Sequence, residues 1–411
     1  MEPLYRCVAG LDVHKYSVVA CVRRLDDRGR AREEVRTFGT MTADLLALGD
    51  WLAEAGATHA AMESTGVYWK PVWHLLDGRV ELMLVNAQHV KQVPGRKTDV
   101  KDCAWIAQLL QHGLLRPSRV PPAPQRELRD LTRQRAQLVG EQARAANRIQ
   151  KVLEDANVKL ASVATDVLGV SGRAMLRALI AGETDVAKVA DLAKKRLRAK
   201  IPALERALAG RVTEHHRFLL RLHLEHYEQL EALVGQLSDR IAGQLAPFAE
   251  SLGLLVTIPG VQRRTAEVLL AEIGADVTAF PTADHLASWA GLCPGNNESA
   301  GKRRTGRMRK GSHWLRVALL QAAWAAGRAK DTYLAAHFRR LSARRGGKRA
   351  AAAVAHTLLV VVYHVLGRRQ PYRELGADYL DRLEPERLAH RLVRRLERLG
   401  LKVTVEPQTA A

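Results

Sequence analysis

Asp99 and Asp102 stand three positions apart in "GRKTDVKDCAWIAQLLQHG", residues 95–113, at the head of a run that turns apolar at helical spacing. Two roles fit. Acids in a first helical turn complement the macrodipole, and Thr98 is a suitable cap. Positions i and i+3 also share a helix face, as a pair of metal-binding carboxylates requires. Asp12 in "VAGLDVHK" and Glu63 in "HAAMEST" each end an otherwise apolar, strand-like run. Burying an unpaired carboxylate is costly, so clustering around cations accounts for acids at such strand ends. If those strands are neighbours, Asp12, Glu63, Asp99 and Asp102 converge. Four oxygen-rich ligands suit two Mg²⁺ ions about 4 Å apart, which can polarise a phosphodiester and stabilise attacking and leaving oxygens. The competing reading is four unrelated surface acids.

The elements that must position these acids are legible in the first 115 residues. "LYRCVAGLDVHKYSVVACVRR" holds two β-rich runs around "HKY", and "DDRGR" turns the chain into "EEVRTFG", which predicts a three-strand meander. Next come a helix in "ADLLALGDWLAEAG", a strand in "THAAME", a helix in "VYWKPVWHLL", a strand in "VELMLV" and the helix carrying Asp99 and Asp102. The order βββαβαβα joins an antiparallel meander to parallel crossovers, so a mixed sheet flanked by helices is expected. Trp69 and Trp73, with Tyr68 nearby, could stack on bases, although helical spacing favours a core stripe.

The whole chain has 411 residues, 47% of them hydrophobic, enough for two or three domains with real cores. Its 64 Lys and Arg outnumber 43 Asp and Glu, a net charge of +21 that suits a polyanionic partner, nucleic acid above all. No apolar run of about 18 residues and no N-terminal leader are apparent, so a soluble, cytosolic protein without a membrane partner is expected. Cys7, Cys21, Cys103 and Cys293 are scattered without a C-x-x-C pair, which argues against disulfides and zinc and for small core residues.

Residues 116–123, "RPSRVPPA", read as a linker. Beyond it Leu131, Leu138, Ala145 and Ile149 fall near heptad spacing, interrupted by Arg135 and Gln142, and Tyr227, Leu230, Val234, Leu237 and Ile241 form a better seam. A helical arm that packs with itself or another subunit follows. The basic stretch 193–200 reads as a solvated face. His223 and His226 share a helix face but lack a third metal ligand. From Leu254, "LLVTIPGVQRRTAEVLLAEIG" predicts two short helices around a Pro-Gly turn, either an ordinary corner or a unit offering backbone N–H groups to a phosphate. Then "GLCPGNNESAGKRRTGRMRKGSHW" places Lys302, Arg303, Arg304, Arg307, Arg309 and Lys310 among glycines and small polar residues. An adaptable cationic loop contacting phosphates is expected. "FRRLSARRGGKR" is a further basic cluster.

In "GLDVHK", "AMESTGVYW" and "GRKTDVKDCAWIAQLL" the first domain resembles a RuvC-type, ribonuclease-H-like domain with a D-E-D-D set. The chain as a whole resembles transposases of the insertion-sequence 110 family, bridge-RNA-guided recombinases whose C-terminal domain is matched by "IPGVQRRTAEVLLAEIG" and "FPTADHLASWAGLCPGNNESAGKRRTGRMRKGSHWLRVALLQAA". The likeness covers residues 5–115 and 252–366; the arm matches only in being helical. It implies a catalytic serine at Ser299, which is otherwise an unremarkable loop residue with no adjacent His to activate it. It also implies donor and target DNA, a noncoding bridge RNA and a covalent phosphoserine link; exchange of two duplexes and the self-complementary helices favour a dimer or tetramer. The expected architecture is α/β plus α. It comprises a carboxylate domain (1–115), a helical coiled-coil arm (116–250), a mostly helical domain with a helix-hairpin-helix-like unit and the serine (251–368), and a basic helical tail (369–411). A bacterial, nucleoid-associated location follows. A metal-only nuclease or junction resolvase, and a non-enzymatic nucleic-acid-binding protein, are the alternatives.

Overall fold

Alternating apolar residues on either side of "HKY" and "DDRGR" form an antiparallel meander in the computed structural model: β1 (Cys7–Val13), β2 (Ser17–Leu25) and β3 (Ala31–Gly39). Asp26 closes the second turn by accepting from the backbone N–H groups of Arg28 and Arg30, at 3.0 and 2.8 Å. The structure describes residues 3–64, 66–92, 102–293, 297–299, 302–305, 308, 311–383 and 385–406. Parallel pairing then adds β4 (His59–Glu63) to β1 and β5 (Glu81–Val85) to β4, for a sheet of order β3-β2-β1-β4-β5.

Each strand sends alternate residues to opposite faces. Ala9, Leu11, Val13, Ala60, Met62 and Leu84 face one core together with α1 (Thr42–Glu54) and α2 (Trp69–Leu76). Trp69 and Trp73 belong to this core, with rings edge to face at 6.0 Å, so packing explains their spacing. After β5 comes a short helix missing from the sequence expectation, α3 (Ala87–Gln92). The opposite face, with Val8, Cys21, Ala61 and Val85, is covered by α4 (Asp102–Gln111). Cys21 and Cys103 are buried here as core residues, and the Cys21 thiol is pushed well up from its ordinary value by its hydrogen bond to Cys103 and by burial.

The proline-rich stretch is more than a spacer. Ser118 N–H donates to Leu84 O at 2.6 Å, Pro117 bridges Val85 and Val120 packs on the sheet core. The physical reason is that β5 is an edge strand, whose unpaired backbone groups such a segment covers.

The chain divides into two compact units, the first up to Pro122 and the second from Ala123. The second is mostly helical. Its frame is two long helices, α5 (Ala123–Asp155) and, later in the chain, Glu214–Leu245, of 33 and 32 residues or about 50 Å each. Between them lie α6 (Leu160–Val163), α7 (Val170–Ala181), α8 (Val186–Asp191) and α9 (Ile201–Leu208), which makes the second long helix α10. The long pair is antiparallel, since Leu128 shares a core with Ile241 and Leu245, and Ile149 shares another with Leu220 and Leu224. The apolar seams therefore meet within one chain. At the far end Thr213 and His216 form a reciprocal cap on α10, and His216 Nε2 lies 2.9 Å from Asp155 Oδ2. In the basic stretch 193–200, Arg198 pairs with Asp191 and Lys200 donates to Val163 O, structural uses of a solvated face. His223 is held below its ordinary pKa by burial, then by Arg148 and His226.

The remaining helices build one core: α11 (Ala249–Val256), α12 (Arg263–Ile273), α13 (Ala283–Trp289), α14 (His313–Ala326), α15 (Tyr333–Arg345) and α16 (Gly347–Arg368). The Pro259-Gly260 turn joins α11 to α12 as two helices around a corner. A Cβ on Gly260 would lie 2.4 Å from Ala322 O, so this turn packs directly on the α14 backbone. Contrary to the sequence expectation, α16 is long and apolar enough to cross a membrane; its Val354, Ala355, Leu358, Leu359 and Val362 are instead fully buried in the core. Two exposed helices follow, α17 (Tyr379–Leu383) and α18 (Pro385–Glu397).

Arg135, read as an interruption of the seam, is instead a buried anchor. It pairs with Glu267 of α12 at 2.7 Å, both side chains about 5% exposed or less. Beside it Arg133 grips Glu272 through two bonds of 2.7 and 2.9 Å, and Ser312 Oγ donates to the same carboxylate at 3.1 Å. Removing one partner of such a buried pair costs about 3–5 kcal/mol, because the other charge is stranded.

Candidate functional site

In the first unit Asp12 and Glu63 lie at the same end of neighbouring central strands, and α4 begins toward that end. Leu11 and Met62 are registered partners in the parallel β1–β4 pair, so Asp12 and Glu63 follow side by side at the strand ends. Strand alternation puts both on the face that α4 covers, since Ala61 and Val8 of the same parity face α4 while Leu11 and Met62 face away. Both acids are half-buried.

The direction of α4 brings the third. Its last residue, Gln111, accepts from Leu4 N–H at 2.7 Å and from Arg23 Nε at 2.7 Å, and Arg23 pairs with Val8 at the start of β1. The helix thus runs back along β1, and its first residue, exposed Asp102, lies toward the end that carries Asp12. Gly10 makes this possible. A Cβ there would sit 2.0 Å from Cys103 O and 2.5 Å from Ala107 N, so the helix backbone rests on a residue without a side chain. Sequence reasoning passed over Gly10; its isolated position inside a strand was the signal available. Gly10→Ala is expected to destabilise the chain by about 1–3 kcal/mol, as overpacking does, read as a lower denaturant midpoint, because backbone must move to admit the methyl group.

Asp12 Oδ2 lies 3.1 Å from His14 Nε2, a partner that spacing did not announce. Asp99 lies outside the described residues, and among the described residues no three His, Cys, Asp or Glu side chains are arranged to hold one ion. Asp12, Glu63 and Asp102 are themselves carboxylates, the donors a hard divalent cation takes.

In the second unit Ser299 lies on β6 (Asn297–Ser299), paired antiparallel with β7 (Lys302–Thr305), which carries Lys302, Arg303 and Arg304. Ser299 pairs with Lys302 and Glu298 with Arg303. Ser299 and Lys302–Arg304, expected in an irregular loop, therefore lie on two paired strands. Arg307, Arg309 and Lys310 lie outside the described residues. Ser312, at the head of α14, caps that helix by accepting from Leu315 N–H and also donates to buried Glu272. This anchor ties the chain after the basic segment to α12 and, through Arg133, to α5.

A mixed five-stranded sheet with carboxylates at the ends of its central strands, joined to a mostly helical remainder, fits a ribonuclease-H-like DEDD domain followed by a helical domain. Two family descriptions match in chain order. Residues 9–158 match a DEDD transposase family and residues 252–339 the "Transposase IS116/IS110/IS902 family", together more than half of the chain. The chain belongs to the IS110 family of transposases. It is 24% identical over 300 residues to the "Transposase for insertion sequence element IS1111A" of Coxiella burnetii, covering 72% of this chain and 73% of that protein. Over 102 residues it is 41% identical to the "Insertion element IS110 uncharacterized 43.6 kDa protein" of Streptomyces coelicolor, a match to 24% of this chain and only 23% of that protein's length.

Proposed function

We propose that this chain is an insertion-sequence recombinase that cuts and rejoins DNA through a serine-linked intermediate. The observation that supports it best is that Asp12 and Glu63 lie side by side at one end of the sheet, on the face covered by α4, which Asp102 opens, in a chain of this family. Asp12, Glu63, Asp99 and Asp102 would hold Mg²⁺, two ions in the full set, and bound there the cations supply Lewis-acid stabilisation of charge on phosphate oxygens.

The chain's own residues carry the displacement. Ser299 Oγ attacks phosphorus, the P–O3′ bond breaks, and the serine proton ends on the departing 3′ hydroxyl. The 5′ phosphoryl group is left as a serine ester, which retains the bond energy needed for rejoining. Reversal requires only that a 3′ hydroxyl attack the ester, so no nucleoside triphosphate is consumed. Lys302, Arg303, Arg304, Arg307, Arg309 and Lys310 bind the phosphate backbone and offset the charge that develops at phosphorus. The serine lies in the helical domain of residues 251–368 and the acids in the domain of 1–115. Residues 116–250 serve as a coiled-coil-like arm, and 369–411 as a basic tail. The helix-hairpin-helix-like unit around Pro259 and Gly260 contributes further backbone contact.

A bridge RNA chooses the DNA sites by base pairing. Delegating sequence to pairing leaves the protein to read backbone and shape, which fits a net charge of +21. The working form is a homodimer or homotetramer in the bacterial cytoplasm, since two duplexes are exchanged. Protein purified from cells that carry its flanking sequence is expected to hold one discrete RNA species, seen as a single band after deproteinisation. Recovery of random fragments, with DNA cleavage undiminished by ribonuclease, rejects RNA guidance.

A further inference from the structure

A groove of about 330 Å³ opens in the second unit between α5, α12 and α14. Arg133, Arg264, His313 and Trp314 line it, with Val268 and Val317 among its apolar wall residues. Among the described residues no carboxylate lines it. Glu267 and Glu272, on the same helix α12 as Arg264 and Val268, are 3% and 1% exposed and already hold Arg135 and Arg133. Arg264 is exposed and has no ion-pair partner among the described residues. Trp314 is half-buried and meets the His313 ring edge to face, at 5.7 Å and 75°, an arrangement that does not stack the two ring faces on each other.

Those features select an occupant. A flat aromatic surface suits a nucleobase, an uncompensated guanidinium suits a phosphate, and the volume is at the small end of ligand pockets, about 300 Å³, enough for about one nucleotide. Both aromatic residues open α14, eight and nine positions after the end of β7, in a stretch of sequence dense in Lys and Arg. We infer that this groove takes one unpaired nucleotide of a nucleic-acid strand, with its base on Trp314 and its phosphate on Arg264. The inference deepens the function proposed above and rests on that reading only in taking nucleic acid as the partner. An unpaired DNA strand and the loop of a bound RNA offer the same chemistry, so both are tested.

Anisotropy titrations of the whole chain use a short single-stranded DNA, an RNA of the same sequence, a duplex, and each single strand with one abasic position. Arg264→Glu and Trp314→Ala are each expected to weaken binding of one or both single strands about ten-fold, the range of a lost stacking contact or phosphate partner. Trp314→Phe, which keeps an aromatic face, should stay within about three-fold of the parent, and duplex affinity should not change. The strand that loses more identifies the source as DNA or RNA. Photocrosslinking of a bromouracil-substituted strand to the unaltered protein should label a peptide containing Trp314, a readout independent of any variant's folding.

Unchanged single-strand affinity in Arg264→Glu, with no label on that peptide, overturns the inference. An effect of Arg264→Glu with equal affinity for intact and abasic strands overturns it too, since the site is then a charge contact and not a nucleotide pocket. If Arg303→Ala with Arg304→Ala weakens binding while the groove variants do not, the groove fails and the proposed function stands. If the groove variants lose affinity but the parent forms no serine-linked strand, the groove stands and the covalent mechanism fails.

Discussion

Ser299→Ala is expected to abolish both the protein-linked DNA strand and the joined product, a loss of several orders of magnitude in rate, the scale on which removal of a nucleophile acts. In the proposed mechanism the hydroxyl forms the bond to phosphorus, and alanine has no group that could form it. The carboxylates of the first unit are untouched by the change, so cation binding should persist. Ser299 lies on a strand paired with Lys302, and alanine keeps the backbone groups that make the hairpin. Denaturing electrophoresis of DNA labelled on each side of the cut reads the outcome. In the parent one labelled side should migrate with the protein, and in the variant neither should. Water attack predicts the opposite, with free ends on both sides of the cut and near-parental cleavage by Ser299→Ala. That result would assign the chain to the metal-only nucleases.

Asp12→Asn and Asp102→Asn should each lower strand cleavage by at least about a hundred-fold, since even partners one step removed from a metal cost 10–100-fold when lost. The experiment separates two roles of Asp102 that its position leaves superimposed. It opens α4, so a carboxylate there favours the helix electrostatically by about 0.3–1 kcal/mol. If that were its whole purpose, Asn would cost only that much stability and leave cleavage intact. If it holds a divalent ion, cleavage should collapse while the thermal midpoint moves by a few degrees at most, and a Mg²⁺ titration should shift to higher concentration. Asp12 gives an independent reading, because it lies at a strand end and has no helix to cap. Full activity of either variant in Mg²⁺ would falsify the carboxylate assignment.

Short-range patterns carried much of this architecture. Alternation of apolar residues around "HKY" and "DDRGR" specifies three paired strands, and helical spacing after Asp102 specifies α4, because both periods follow from backbone geometry alone. A strongly basic composition pointed to a polyanion, and several ordered motifs carried the family resemblance. None of these depends on how distant segments meet.

What only the tertiary structure decided are the meetings themselves. That Asp12 and Glu63 lie at the same end of the sheet follows from β4 adding in parallel to β1, and that α4 begins toward that end follows from its backbone resting on Gly10. Local spacing records neither, because a glycine in a strand reads the same whether or not a helix lies on it. Arg135 looked like a flaw in a heptad seam until its partner, Glu267, came from 132 positions along the chain. The seam of α5 could have closed on another subunit, yet it closes on α10 of its own chain. The groove at Trp314 likewise exists only once three helices far apart in sequence are packed. A residue's own neighbours set its secondary structure and which way it faces, whereas the partner it faces is set by burial and charge pairing summed over the whole chain.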